Sequence, residues 1–171
     1  ACIEDDVDKV QSDINMMDTW SKDASERMKL AIDARVLTDI LPDIHADNKG
    51  GTAGRISGDL DLGSTGTPVA ITKSNVIDLI VDMGVALDES NCPSTDRWMI
   101  IPAKMAGLIK RSDLKDASIT GDGTSPLRNG RIGMIDTFTL YVSHNLYVAS
   151  SKFSIIAGHK MGFTFAAQMT E

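Results

Sequence analysis

The stretch "LDESNCPSTDRWMIIPAKMAGLI", residues 87–109, puts an acidic pair, a cysteine, two prolines and an apolar run into a short space. Asn91-Cys92-Pro93-Ser94-Thr95-Asp96 is turn chemistry, and Trp98 to Ile101 is an apolar run of strand length. Pro102 suits the first turn of a helix in which Met105, Leu108 and Ile109 recur at i, i+3 and i+4. Immediately upstream, Thr72 to Asp88 reads as a helix, with Thr72 or Ser74 as cap and Val76, Ile77, Leu79, Ile80, Met83, Val85 and Leu87 as its apolar face. The local plan is helix, turn, buried strand, helix.

The polar residues of this stretch invite a chemical reading, which their spacing does not favour. Asp88 and Glu89 are helical neighbours pointing roughly 100° apart, whereas acid–base catalysis needs two groups converging on one substrate. They read as solvated and capping. A reactive thiol at Cys92 needs a histidine or a basic neighbour, and His45, His144 and His159 are scattered along the chain. Cys92 reads as a small turn residue.

Working outward, the first 45 residues carry the clearest helical period. Ile3, Val7, Val10, Ile14 and Met17, then Trp20, Ala24, Met28, Ile32, Val36, Ile40 and Ile44, recur at spacings of three or four. This predicts one long amphipathic helix ended by Pro42 and the Asp47–Gly51 stretch, roughly 60 Å long at 1.5 Å per residue. The rest of the chain is too small to bury such a helix. The spacing drifts away from 3.5 after Trp20, so a spine that receives other segments along one face is favoured over a coiled coil.

Residues 48–68, "NKGGTAGRISGDLDLGSTGTP", predict a mobile surface loop or weak hairpin with few side chains to bury. The run lacks the G-x-x-x-x-G-K-[ST] phosphate loop. Asp59, Asp61 and Gly63 begin like an EF-hand but have no closing glutamate, and Ser57 stands one place off for a nucleophile elbow. Residues 113–130 form a second polar loop. Beyond it Ile132, Met134, Phe138, Leu140 and Val142 alternate as in a strand, and Ser154–Ala157 and Gly162–Met169 predict two more. Ser143-His144-Asn145 reads as a strand-ending turn, since adjacent strand residues face opposite sides.

Composition sets the bounds. The chain has 171 residues, 42% hydrophobic, enough for one core and a small second lobe. A net charge of −7 and the lack of a basic run speak against a nucleic-acid-binding patch. No apolar stretch approaches the roughly 18 residues of a membrane span, and the first residues have neither a basic n-region nor an apolar h-region. Cys2 and Cys92 show no metal-ligand spacing and no sign of a bridge, and no asparagine sits in an N-x-[ST] acceptor. These features fit an intracellular, soluble chain.

The order of parts resembles the major capsid proteins of tailed double-stranded DNA bacteriophages, of the Hong Kong 97-like fold and its podovirus and P22-like branch. The likeness runs from the helix ending "AIDARVLTDI" through the opening stretch to "NGRIGMIDTFTLYVSHNL" and "SIIAGHKMGFTFAAQMTE". Leu87, Asp88, Glu89, Asn91, Pro93, Arg97 and Pro102 occupy the family's L-D-E-x-N-x-P turn and R-x-x-x-x-P strand. Gly130, Ile132, Gly133, Ile135, Phe138, Leu140 and Ser143 follow its G-x-I-G-x-I-x-G-F-x-V-x-x-S segment, with Thr137 where the family has glycine and a less sharply bent backbone expected there.

The resemblance implies an α+β fold, with a P-domain spine helix over residues 1–47 and a mixed A-domain over 48–171. It implies a structural protein of the virion, made in the host bacterial cytoplasm. Such a protein self-assembles into hexamers and pentamers around double-stranded DNA, without sequence-specific binding, membrane, cofactor, metal or catalysis. Scaffolding, portal and decoration proteins are the implied further partners. The N-terminal arm, E-loop and later P-domain strands of such coats find no match, so a truncated core that does not close shells by itself is expected. The alternative from a different class is a small intracellular binding module that docks a partner on its long amphipathic helix.

Overall fold

A computed structural model of the chain describes residues 16–64, 66–112 and 133–164. Within these, three α-helices and six short strands make a mixed α+β fold. The helices are α1 (Met16–Asp39), α2 (Val76–Glu89) and α3 (Ala103–Arg111). The strands are β1 (Arg97–Ile101), β2 (Met134–Ile135), β3 (Phe138–Val142), β4 (Val148–Ala149), β5 (Lys152–Phe153) and β6 (Ile156–His159).

The apolar run of the opening stretch becomes the centre of the sheet. Its order is β2-β3-β1-β6, with β1 parallel to β3 (Arg97 opposite Phe138, Ile101 opposite Val142) and antiparallel to β6 (Ile100 opposite Ile156). Alternation along β1 gives its two faces different tasks. Met99 and Ile101 join Phe138 and Leu140 of β3 against Val76, Leu79 and Ile80 of α2 and Met105, Ala106 and Ile109 of α3. Trp98 and Ile100 point the other way, to a smaller cluster of Leu37, Leu146 and Ile156 with Leu41 beside it. The end of α1 therefore closes the second face of the sheet.

α3 starts one residue later than its proline, which is the N-cap; Met105 and Ile109 of the expected pattern are buried and Leu108 is half-buried, while Ala106, outside the pattern, is buried as well. α2 starts at Val76 with Asn75 as N-cap in place of Thr72 or Ser74. The Asn75 side chain is turned back, accepting from the Thr72 amide at 2.7 Å and donating to the Ala70 carbonyl at 2.9 Å. It thus stabilises the approach to the helix rather than the helix end.

Two expectations are corrected. The first concerns α1, which ends at Asp39 and gives way to short 3₁₀ turns at Leu41–Asp43 and Ala46–Asn48. Pro42 has no amide to continue the ladder, and its ring disfavours helix for Leu41. The described helix of 24 residues is about 36 Å long; residues 1–15 lie outside the described ones. The stripe is largely exposed, as expected of a helix that the rest of the chain is too small to bury: Trp20 is 73% and Met28 52% exposed, and Leu37 is the buried apolar residue among the side chains of α1 that are described. Steps of four residues advance roughly 400°, so a stripe built on them winds around the helix instead of keeping to one side.

The second concerns the C-terminal third. The alternating run from Met134 to Val142 is split into the β2–β3 hairpin, because Asp136 takes a left-handed backbone with φ of 53°. The sharp bend expected to relax at Thr137 is thus made one residue earlier. The strand expected over Ser154–Ala157 is Ile156–His159, after a separate β4–β5 hairpin. Gly162 lies in a 3₁₀ turn, Lys160–Gly162, and not in a strand; residues 165–169 of that expectation lie outside the described ones.

Candidate functional site

The polar residues of the opening stretch converge on one buried cation. Arg97 begins β1 on the core-facing side, and its side chain is fully buried. Nε donates to the Pro93 carbonyl at 2.7 Å, and Nη2 donates to the Cys92 carbonyl at 2.5 Å and the Asp88 carboxylate at 2.6 Å. Nη1 reaches the Thr137 hydroxyl in the β2–β3 turn at 3.3 Å. The planar guanidinium thus ties the end of α2, the turn and the hairpin to the first residue of β1. The turn is shaped to present those carbonyls: Asn91 is left-handed at φ 56°, with its amide on the Asp88 carbonyl at 2.9 Å.

Glu89, the last residue of α2, works on the opposite side. One carboxylate oxygen accepts from the Ile56 amide at 2.9 Å, the Ser57 amide at 3.1 Å and the Ser57 hydroxyl at 3.2 Å. These backbone donors hold its carboxyl below the ordinary glutamate range. Gly54 makes the fit, with φ of 99° and no room for a Cβ, which would lie 2.9 Å from the Glu89 oxygen. The glycine-rich loop is therefore anchored: Ala53 is fully buried and bridges Leu60, and Leu62 packs against the core.

At the edge of β6, between the end of α1 and the end of α2, lies an open groove of about 710 Å³. Val36, Ile40 and Met83 contribute apolar walls, and Trp98 lies against Gly158. His45 and His159 are at its edge, but each Nδ1 is spent on a local turn, accepting from Asp47 and Met161 amides at 3.2 Å.

None of these arrangements joins a nucleophile to a base. Ser143 ends β3 as the sequence suggests, its amide on the Ile101 carbonyl and its hydroxyl accepting the Asn145 amide at 3.1 Å. Cys92 is a free, half-buried thiol, and Cys2 lies outside the described residues. Among the described residues no three His, Cys, Asp or Glu side chains stand close enough to share a metal ion, and no helix is long and apolar enough to cross a membrane. Burial pushes the Asp82 carboxyl above the usual range, helped by Asp78 and Asp59.

A solved chain of Mycobacterium phage Che8 shares this fold. It superimposes with a TM-score of 0.58 at 23% identity, over 86% of this chain and 47% of its own length. The chain thus spans about half the length of that phage chain. No family model matches, and neither does any curated protein.

The motif positions fall into distinct places. Asp88, Pro93 and Arg97 meet in one network, Glu89 turns to the loop, and Asn91 supplies the left-handed turn. Leu87 and Phe138 belong to the core, Pro102 caps α3, and Gly133 accepts the Leu140 amide at 3.1 Å. Gly130 and Ile132 lie outside the described residues. Sequence reasoning missed the Glu89 anchor and the groove. The glycine at position 54 was the available signal for the anchor; the groove, built from segments far apart in the chain, had none.

Proposed function

We propose that this chain is shell-building material: the major capsid protein of a tailed double-stranded DNA phage, in the Hong Kong 97-like fold and its P22-like branch. The fold shared with the Mycobacterium phage Che8 chain over most of this chain carries the reading. The resemblance of the 87–109 and 130–143 motifs supports the capsid role. In this reading, residues 1–47 are the P-domain spine and 48–171 the A-domain, and copies meet as hexamers and pentamers. Apolar residues that α1 leaves to solvent, Trp20, Met28 and Leu30, are the surface offered to neighbouring subunits. DNA is confined rather than gripped, in keeping with the net charge of −7. Scaffolding, portal and decoration proteins would be the further partners.

The same exposed apolar residues suit a binding module that docks one partner helix. Light scattering and electron microscopy of the protein expressed from its complete gene separate the two. Closed particles of uniform size are the expected result; discrete small complexes would overturn the shell and leave the module.

A further inference from the structure

β6 ends the four-stranded sheet: β1 pairs with one of its edges, and among the described residues no strand pairs with the other. The open edge faces the groove. Residues 155 through 159 all line it. Successive strand residues point to opposite faces, so a cleft that touches five in a row meets the strand along its edge and not on one face. The facing wall, from the last turn of α1 and the turn after it, is apolar at Val36 and Ile40 and acidic at Asp39 and Asp43. Among the described residues no lysine or arginine lines the groove.

We propose that this groove receives an extended peptide segment of a partner protein, added as a further strand to β6, with apolar side chains at alternate positions and a lysine or arginine beside Asp43. An unpaired strand edge offers the backbone donors and acceptors such a segment needs, and alternate side chains of the added strand meet the apolar wall. Charge fixes the sign of the partner. Asp39 already shares its carboxylate with Arg35 at 3.3 Å, so Asp43 is the stronger attraction. The groove's size suits a short segment. This inference stands apart from the shell reading.

The test titrates the 171-residue chain with a fluorescent hexapeptide of alternating valine and threonine that carries one terminal lysine, and follows amide exchange at Ala157 and His159, whose amides alternate with those turned to β1. Saturable binding that slows exchange at those amides is expected. A glutamate version of the peptide binds about fivefold more weakly, Asp43→Lys reverses that order, and a peptide N-methylated at alternate amides does not bind. Asp43 is exposed, and circular dichroism of the variant checks that it folds. No binding at about 1 mM, or equal binding by the N-methylated peptide, overturns the proposal. Protection of the Ala157 and His159 amides in the free chain overturns it as well: the chain itself fills the groove if protection is independent of concentration, and a second copy does if protection rises with it.

Discussion

The Asp88 carboxylate meets the Arg97 guanidinium at 2.6 Å, although the first side chain is 61% exposed and the second wholly buried. The two ends of this ion pair therefore contribute unequally. Arg97→Met strands the Pro93 and Cys92 carbonyls and is expected to cost about 3–5 kcal/mol, a fall in Tm on the order of 10 °C. Asp88→Asn keeps an acceptor but leaves the buried guanidinium without its counter-charge, and should cost about 1–3 kcal/mol. Denaturant unfolding of both variants measures the difference, and equal costs would contradict the asymmetry.

Glu89 gives the 54–58 loop a pH-dependent tether. Its folded pKa is depressed, so the tether contributes stability above the ordinary value of 4.5 and loses it as pH falls through the lower folded value. The Ile56 and Ser57 amide resonances should shift together with a midpoint below 4.5. Glu89→Gln removes the charge at every pH, and trypsin should then cut after Arg55 faster than in the parent at pH 7. An unchanged cleavage rate would show that the loop holds without the carboxylate.

Asp82 behaves in the opposite sense. Its carboxyl is raised by partial burial and by Asp78 and Asp59, so its contribution is most favourable below the unfolded value of 3.8 and declines as pH rises through the folded one. Asp82→Asn is expected to raise Tm by about a degree or two at pH 7, with the gain vanishing below 3.8. A thermal scan across pH reads both features; a gain that persists in acid would point to a cause other than charge.

Gly158 leaves room for a tryptophan. A Cβ there would lie 3.1 Å from the Trp98 ring, so Gly158→Val forces the indole to move. We expect a loss of about 1–3 kcal/mol and an altered Trp98 emission, recorded in a Trp20→Phe background. Emission identical to the parent would mean that the ring is not held against β6.

Trp20 and Met28 separate folding from assembly. Replacing both by serine should change unfolding free energy by less than about 0.5 kcal/mol, because both are exposed. Particle yield from the complete gene should fall sharply. Normal particle yield would remove α1 from the proposed contacts.

How far the sequence could be read follows from the range of the interactions involved. The 87–109 stretch was legible because its signals are local: a turn, a strand of alternating burial and a helix launched at Pro102. Ser143 ended β3 for the same reason. Arg97 was visible only as a motif position, since nothing local shows that the turn carbonyls and Asp88 will surround it. Glu89 was misjudged as solvated because its partners lie 33 and 32 residues away. The end of α1 was placed too late because apolar spacing continued past Asp39 after the hydrogen-bond ladder had stopped.

The position of β1 between β3 and β6 also sets an order of events during synthesis. When α2, β1 and α3 have left the ribosome, the central strand has neither neighbour, and its Met99 and Ile101 face has half a sheet to close against. Both partners are non-local, which makes their pairing slow compared with helix formation. A nascent chain halted before His159 would therefore display an apolar strand with an open edge, the species most exposed to aggregation or to capture by a chaperone.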